Sequence, residues 1–340
     1  MPNEPKLEVF KFALNPIKGN KTTFKDFFSS KLYVGTANVP SDKKVIYKDY
    51  FESFNNILSL QGFYKDKKGT KAITSFTSAD GNTPITLMSE KNVICGVITG
   101  GTYGKKRIAA DVDDKAKSET IDKKKVIGTQ FFFYLYAPLD FHWGAFFIQS
   151  YGLQENIKSP FVDLIAEYFQ IPQVYSKPNI EAFLPEETIK EIQNGAVVNS
   201  YDFTTHELIS VPSDDPMVLH TEEFTIKVQI IPKSKDTNLS KAQNVFSHIK
   251  LKSFFGQEKV TKKLEEFQDS KMVAENKSTK NKGRLFDVTS GLKVRPIIHL
   301  QDINLNEDNI PDFEAIKVFC HELLEPVKKE LRGENKINER

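Results

Sequence analysis

Residues 131–136 read FFFYLY, an unbroken run of large apolar and aromatic side chains, and residues 145–151 answer it with AFFIQSY. A strand with one face in water alternates apolar and polar residues. A run without alternation needs cover on both faces. Pro138 has no N–H to give a ladder and Asp140 follows it, so the first strand ends there. LDFHWG turns the chain and AFFIQSYG returns it. The pattern predicts strands at about 129–137 and 144–151, paired as a hairpin near the centre of a sheet. The proline, aspartate and histidine between them exclude a membrane-spanning helix.

The segments around this hairpin read more locally. Ser159 and Pro160 suit an N-cap and a first helical position, and Phe161, Leu164, Ile165 and Tyr168 follow at helical spacing until Pro172. Asp163 and Glu167 then fall on a solvated face. Upstream, KLEVFKFAL alternates as a strand, and DYFESFNNILSLQGF (49–63) reads as a short helix. TPITLMS and NVICGVITGG read as strands, with RIAADVD pairing back across the turn YGKK and KAKSETIDKKK as an exposed loop. The second half is mixed. LPEETIKEIQNG, LSKAQNVFSHIKLKSFFG and EKVTKKLEEFQDSKMVAE predict helices, FTIKVQIIP, LFDVT and LKVRPIIHLQDI predict strands, and AENKSTKNKG (274–283) predicts a linker or hairpin tip. IPDFEAIKVFCHELLEPVKKELR closes the chain as a long or Pro-broken helix. The expected class is α+β: a β-rich N-terminal half with a central aromatic hairpin and packed helices, then a mixed α+β half. The expected division falls between about 170 and 185, giving a domain 1–175 and a domain 176–340.

With 340 residues and 39% of them hydrophobic, the chain can bury a full core without metal or disulfide. Cys95 (VICGVI) and Cys320 (KVFCHELL) lie far apart in apolar surroundings, which predicts two buried, reduced thiols. The first residues carry no basic segment followed by an apolar one, so no signal peptide is expected, and no apolar run approaches a membrane span. These features predict a soluble, cytoplasmic protein without a membrane partner. Net charge is +2, but residues 152–223 hold 13 acids against three lysines, while residues 224–300 hold 16 Lys/Arg against seven acids. Such blocks suit either two mutually attracted faces or a footprint for an anionic partner. Lysine outnumbers arginine 42 to 5, a usage that an AT-rich genome produces without any function.

Few chemical motifs are complete. TGGTYGKK (99–106) fails the phosphate-loop pattern at both ends, with Thr99 for Gly and Lys106 for Ser/Thr. Its Lys105 and Lys106, with Arg107, remain suited to loose phosphate contacts. ADVDDKAKSET (110–120) holds Asp111, Asp113 and Lys115, which could serve a Mg²⁺-dependent nuclease in which carboxylates bind the ion and a lysine polarises the phosphate. Asp122-Lys123-Lys124 repeats the D-x-K pattern, so the signal is cheap, and a solvated turn is the plainer reading. The six histidines make no zinc-protease motif; His142, at the hairpin tip beside Trp143, is the one placed to line a cleft. Adjacent Cys320 and His321 point different ways on a helix. The basic segment is the strongest hint. Lys250, Lys252, Lys259, Lys262, Lys263 and Arg284 are interleaved or flanked by Phe246, Phe254, Phe255 and Phe267, a mixture that suits phosphate neutralisation and base stacking. The competing reading is an amphipathic helix pair with its phenylalanines in a core.

The stretch FFFYLYAPLDFHWGAFFIQSYGLQENIKSPFVDLI, with Gly144, Phe146 and Gln149, resembles a loose set of uncharacterised bacterial accessory or effector proteins of anti-phage defence loci. The resemblance covers about a tenth of the chain and implies a setting, not a catalytic residue. The sequence thus leads to a non-catalytic protein that binds nucleic acid (DNA or RNA) or a protein partner, without a cofactor. The alternatives are a nuclease using Mg²⁺ at Asp111, Asp113 and Lys115, and an adaptor whose charge blocks dock on a partner or on another copy.

Overall fold

The computed structural model describes the chain except residues 1–4, 19–21, 36–38, 60–61, 77–83, 112–116, 152–154, 194–195, 213–218, 234–238, 251–263, 277–284, 289–293, 301–302 and 338–340. The class is α+β. Two compact units make it up, residues 1–184 with 303–340, and residues 185–302.

The first unit begins with β1 (Lys6–Pro16), α1 (Phe24–Leu32), α2 (Lys43–Ser59), β2 (Tyr64–Lys65), β3 (Lys71–Thr74), β4 (Ile85–Met88) and β5 (Val93–Thr102). It continues through β6 (Arg107–Ala110), β7 (Ser118–Ile121), β8 (Ile127–Tyr136), β9 (Trp143–Ser150), α3 (Lys158–Tyr168) and β10 (Tyr175–Ala182). The second unit holds α4 (Glu186–Gln193), β11 (Ala196–Pro212), β12 (Leu219–Ile230), α5 (Leu239–Lys250), β13 (Asp269–Asn276), β14 (Leu285–Val288) and β15 (Val294–His299). The helix α6 (Phe313–Ile337) then returns to the first unit.

The first unit is an antiparallel sheet in the order β10-β1-β9-β8-β5-β3-β2, with β4 beside β3 on the same edge of β5. The predicted hairpin is β8–β9, and it is central. Its alternate residues serve two layers. Phe131, Phe133, Leu135, Phe146 and Ile148 join the core beneath α1, α2 and α3, while Phe132, Tyr134 and Tyr136 face α6 through Phe313, His321 and Lys328. An unbroken apolar run is what a strand covered by helices on both faces requires. On the first face, Phe169 sits fully buried among Phe12, Phe24, Phe27 and Tyr168 at centroid distances of 4.9–5.5 Å.

The three positions of the resembling motif carry structural loads. A Cβ on Gly144 would lie 2.5 Å from the Tyr136 carbonyl oxygen. Phe146 stacks on Phe10 at 4.9 Å. Gln149 Oε1 accepts the Phe132 N–H at 3.1 Å, where the β8–β9 register ends at the pair Phe133–Ile148. That buried amide therefore keeps a partner without a ladder.

Four local expectations need correction. Ser159 does not cap α3: its hydroxyl donates to Asp66 at 2.8 Å, and Asn156 Oδ1 accepts the Lys158 N–H at the helix start. The helix over 49–63 starts earlier, at Lys43, where Asp42 Oδ1 accepts the Lys44 N–H. Strand β6 does not pair with β5, because β8 takes one edge of β5 throughout and β3 and β4 take the other. It pairs with β7, inside the stretch expected to be a loop. Residues 269–276 form β13 rather than a helix. β13 lies between β11 and β14, with Met272, Val273 and Ala274 buried, and this packing outweighs the helix propensity of Lys271, Met272, Ala274 and Glu275.

The second unit is an antiparallel sheet in the order β12-β11-β13-β14-β15. Phe246 of α5 stacks on Tyr201 and Phe203 at 5.7 and 5.5 Å, and Phe267 meets Phe203 edge-on at 6.3 Å.

Candidate nucleic-acid interface

Between β5 and β8 the chain leaves the sheet for 24 residues and forms a two-stranded ribbon, β6–β7. Its root is held by backbone: the Gly104 N–H donates to the Lys123 carbonyl at 2.8 Å and the Tyr103 N–H to the Thr70 carbonyl at 3.1 Å. The register then runs Arg107–Ile121, Ile108–Thr120, Ala109–Glu119 and Ala110–Ser118. Beyond it, the Asp111 N–H donates to the Lys117 carbonyl at 3.1 Å. Asp122 sets the turn back into the sheet, since its carboxylate accepts the Lys124 N–H at 2.8 Å and its carbonyl the Lys125 N–H at 3.0 Å. The Asp122-Lys123-Lys124 pattern is thus a turn built by its aspartate.

The ribbon has almost no buried side. Lys105, Lys106, Arg107, Ile108, Ala109, Lys117, Lys123, Lys124 and Lys125 are exposed, as are Asp111, Glu119 and Asp122. Residues 103–126 hold eight Lys/Arg against five acids. Lys125 pairs with Glu119 at 3.1 Å and Arg107 donates to Thr102 Oγ1 at 2.8 Å, both in open solvent, where such contacts contribute little. The arrangement is a narrow ribbon whose cations gather at its root.

Of the residues singled out from the sequence, Lys105, Lys106 and Arg107 therefore lie together at the ribbon's root. Lys123, Lys124 and Lys125 return to the same root after β7, which the loop reading of that stretch missed, while Lys117 lies at the other end of the pairing, opposite Asp111. Asp111 stands exposed past the end of β6, while Asp113 and Lys115 lie outside the described residues. Lys250 ends α5 in the other unit, with its ammonium 4.8 Å from the centroid of the Phe246 ring. Lys252, Lys259, Lys262, Lys263 and Arg284 lie outside the described residues, as do Phe254 and Phe255. Phe246 and Phe267 are core residues, so base stacking by these two is corrected to packing against the sheet, Phe246 from α5 and Phe267 from the turn before β13. Among the described residues, no group of three or more His, Cys, Asp or Glu is placed to hold a metal ion. No described helix is long and apolar enough to cross a membrane. His142, in the β8–β9 turn, gives its carbonyl to the Leu14 N–H at 2.8 Å.

A second polar constellation lies where α6 crosses the sheet. His321 Nε2 is 2.8 Å from Lys91 Nζ and Nδ1 is 3.1 Å from the Tyr134 hydroxyl. An ammonium has only donors, so Nε2 accepts, Nδ1 carries the proton, and the ring is neutral. Burial holds the His321 pKa below its ordinary value, aided by the charges of Lys91 and Lys328 and opposed by Glu325 and Glu322. Beside it both cysteines are fully buried. Burial raises the Cys320 thiol well above its usual range, with Cys95 adding to the effect, and burial raises Cys95 too. These thiols stay protonated and unreactive at neutral pH. The constellation fastens a helix to a sheet. Only the His321 imidazole in the sequence hinted at it, and its partners come from 187 and 230 residues away.

Comparison with known proteins adds no family: no family model matches the chain, and no curated protein matches it.

Proposed function

We propose that the chain is a non-catalytic nucleic-acid-binding protein and that the β6–β7 ribbon is its contact. The observation that carries this reading is the density of exposed cations on an element with no core of its own. A two-stranded ribbon that buries little contributes little to stability, while Lys105, Lys106, Arg107, Lys123, Lys124 and Lys125, gathered at its root, can displace counterions from a polyphosphate. The setting in a bacterial anti-phage locus, which the resemblance implies, belongs to the same proposal.

The test is fluorescence anisotropy with labelled DNA and RNA, with and without Mg²⁺, across a salt series. With about four phosphates engaged, the slope of log K against log[salt] is about −3.6, or about 100-fold weaker binding between 50 and 200 mM salt. Replacing Lys123 and Lys124 by Glu should weaken binding at every salt concentration and flatten that slope by about 2. Salt-insensitive binding, or binding unchanged in this variant, would refute the assignment. Mg²⁺-dependent cleavage lost in Asp111→Ala or Asp113→Ala would replace it with the nuclease reading.

A further inference from the structure

We infer that the polyphosphate contact extends past the ribbon to the turn between β2 and β3, whose Lys65, Lys67 and Lys68 form one footprint with the ribbon root across the end of the first unit's sheet; this rests on the nucleic-acid reading above. Three observations carry it. First, the register brings three connections to one end of the sheet. Lys71 of β3 pairs with Thr102 of β5, and Thr102 pairs with Ile127 of β8. The segments 66–70, 103–106 and 122–126 adjoin this row, so they leave the sheet side by side. Neighbouring strands lie about 4.8 Å apart, which sets the three connections within about 10 Å of one another across the sheet. Backbone ties them together through the Tyr103 N–H on the Thr70 carbonyl and the Gly104 N–H on the Lys123 carbonyl. The Lys65 ammonium lies 5.8 Å from the centroid of the Tyr103 ring, between the two sets of cations.

Second, the charge at this end has one sign. Residues 65–70, 103–107 and 122–125 hold nine Lys/Arg against two acids, and all nine cations are exposed. Both acids are taken up by the turns they build. Asp66 is buried and accepts from the Thr70 and Lys71 N–H groups and the Thr70 and Ser159 hydroxyls, and Asp122 accepts from the Lys124 N–H. Asp163 partly offsets Lys67 at 3.0 Å, which leaves Lys65 and Lys68 as the cations of the β2–β3 turn with most to give to a phosphate.

Third, the positive field stops at both margins. Past the root, residues 108–121 hold four acids against two lysines, so the far part of the ribbon repels phosphate. On the inner side, Lys71 gives its ammonium to the carbonyl and side-chain oxygens of Asn156 at 2.9 and 2.8 Å. A polyanion therefore lies across the sheet end, from the β2–β3 turn to the ribbon root. Eight of the nine cations are lysines, which neutralise phosphates as point charges and read base edges poorly, so binding has weak sequence preference.

The experiment is fluorescence anisotropy of a labelled 20-base-pair DNA duplex and a labelled single-stranded RNA across a salt series, with three double variants. Lys65→Glu/Lys68→Glu alters the β2–β3 turn and Lys123→Glu/Lys124→Glu the ribbon root. Lys44→Glu/Lys48→Glu makes the same change of charge at exposed positions on α2, whose first residue pairs with Asp140 in the β8–β9 turn at the opposite end of the sheet. The expected result is at least 10-fold weaker binding, and a salt slope flatter by about 1 to 2, for each of the first two, with the α2 variant within 2-fold of wild type. Equal urea midpoints confirm that all three fold. If Lys65→Glu/Lys68→Glu binds as wild type while Lys123→Glu/Lys124→Glu is weakened, the inference falls and the ribbon-root reading stands. Equal weakening in all three variants would also overturn it, since the protein's overall charge would then account for binding. If wild type binds neither probe, the nucleic-acid reading itself falls.

Discussion

Acidifying the protein should loosen α6 through one side chain. Neutral His321 accepts from Lys91 and donates to Tyr134, so a second ring proton removes the acceptor and sets two cations 2.8 Å apart. The folded pKa lies below the ordinary value of 6.5, lowered first by burial. Between the folded and unfolded values the unfolded chain binds more protons. The stabilisation by His321 is therefore complete above about pH 6.5 and is lost as pH falls through the folded value. Each unit of displacement is worth about 1.4 kcal/mol. Solvent screens a half-exposed ring, so the expected loss between pH 7.5 and 5.5 is under about 1 kcal/mol. The only tryptophan, Trp143, is buried on the sheet near Tyr136 and Phe141 and reports unfolding of this unit. Urea midpoints from its fluorescence, taken at both pH values, give the wild-type slope. The comparison that isolates this side chain is with His321→Gln, which keeps a donor and an acceptor but no titration. The variant should be less pH-sensitive than wild type. An identical slope in the two proteins would refute the tautomer and the latch together.

Other perturbations test the frame. Phe169→Ala should cost about 3–5 kcal/mol, read as a lower urea midpoint, because the ring is fully buried among other aromatic rings. A midpoint shift below 1 kcal/mol would mean that the cluster repacks. Gly101→Ala should part β5 from β8 at the ribbon's root, since a Cβ there would lie 1.8 Å from the Ile127 carbonyl oxygen; limited proteolysis should then cut within 103–126 faster than in wild type. Asp66 is buried, which raises its pKa, but bonds from the Lys71 and Thr70 N–H groups and from the Ser159 and Thr70 hydroxyls outweigh this and hold it below 3.8. Its stabilisation is present above about pH 3.8 and is lost as pH falls through the folded value. Asp66→Asn should accordingly lower stability at pH 7 and narrow the gap to wild type near pH 2, both measured by urea denaturation.

What could be read in the sequence follows a physical division. The hairpin was legible because FFFYLY is a local pattern with one structural solution, and the buried stripe of α3 was legible for the same reason. The start of α3 was not, because Ser159 satisfies the cap rule equally well while its hydroxyl is drawn to Asp66, 93 residues earlier. β13 was misread because a lysine-rich segment has helical propensity until neighbouring strands claim it. At the candidate interface, Lys105, Lys106 and Arg107 stood out as a run. Lys123, Lys124 and Lys125, which return to the same root after β7, were hidden by pairing, which composition does not encode. Tyr134 and Lys91 likewise become partners of His321 only once α6 returns to the first unit.

That return has a consequence for synthesis. The stretch 185–302 is made in full before residues 303–340, which complete the first unit, begin to appear. At about 5–20 residues per second, the exit of α6 trails Leu184 by roughly 10–30 s. Throughout that interval Phe132, Tyr134 and Tyr136 lack the helix that covers them. A chaperone that shields an aromatic sheet face, or a nascent chain that delays folding until α6 emerges, would suit this order of events, and premature termination before residue 313 would leave that face open permanently.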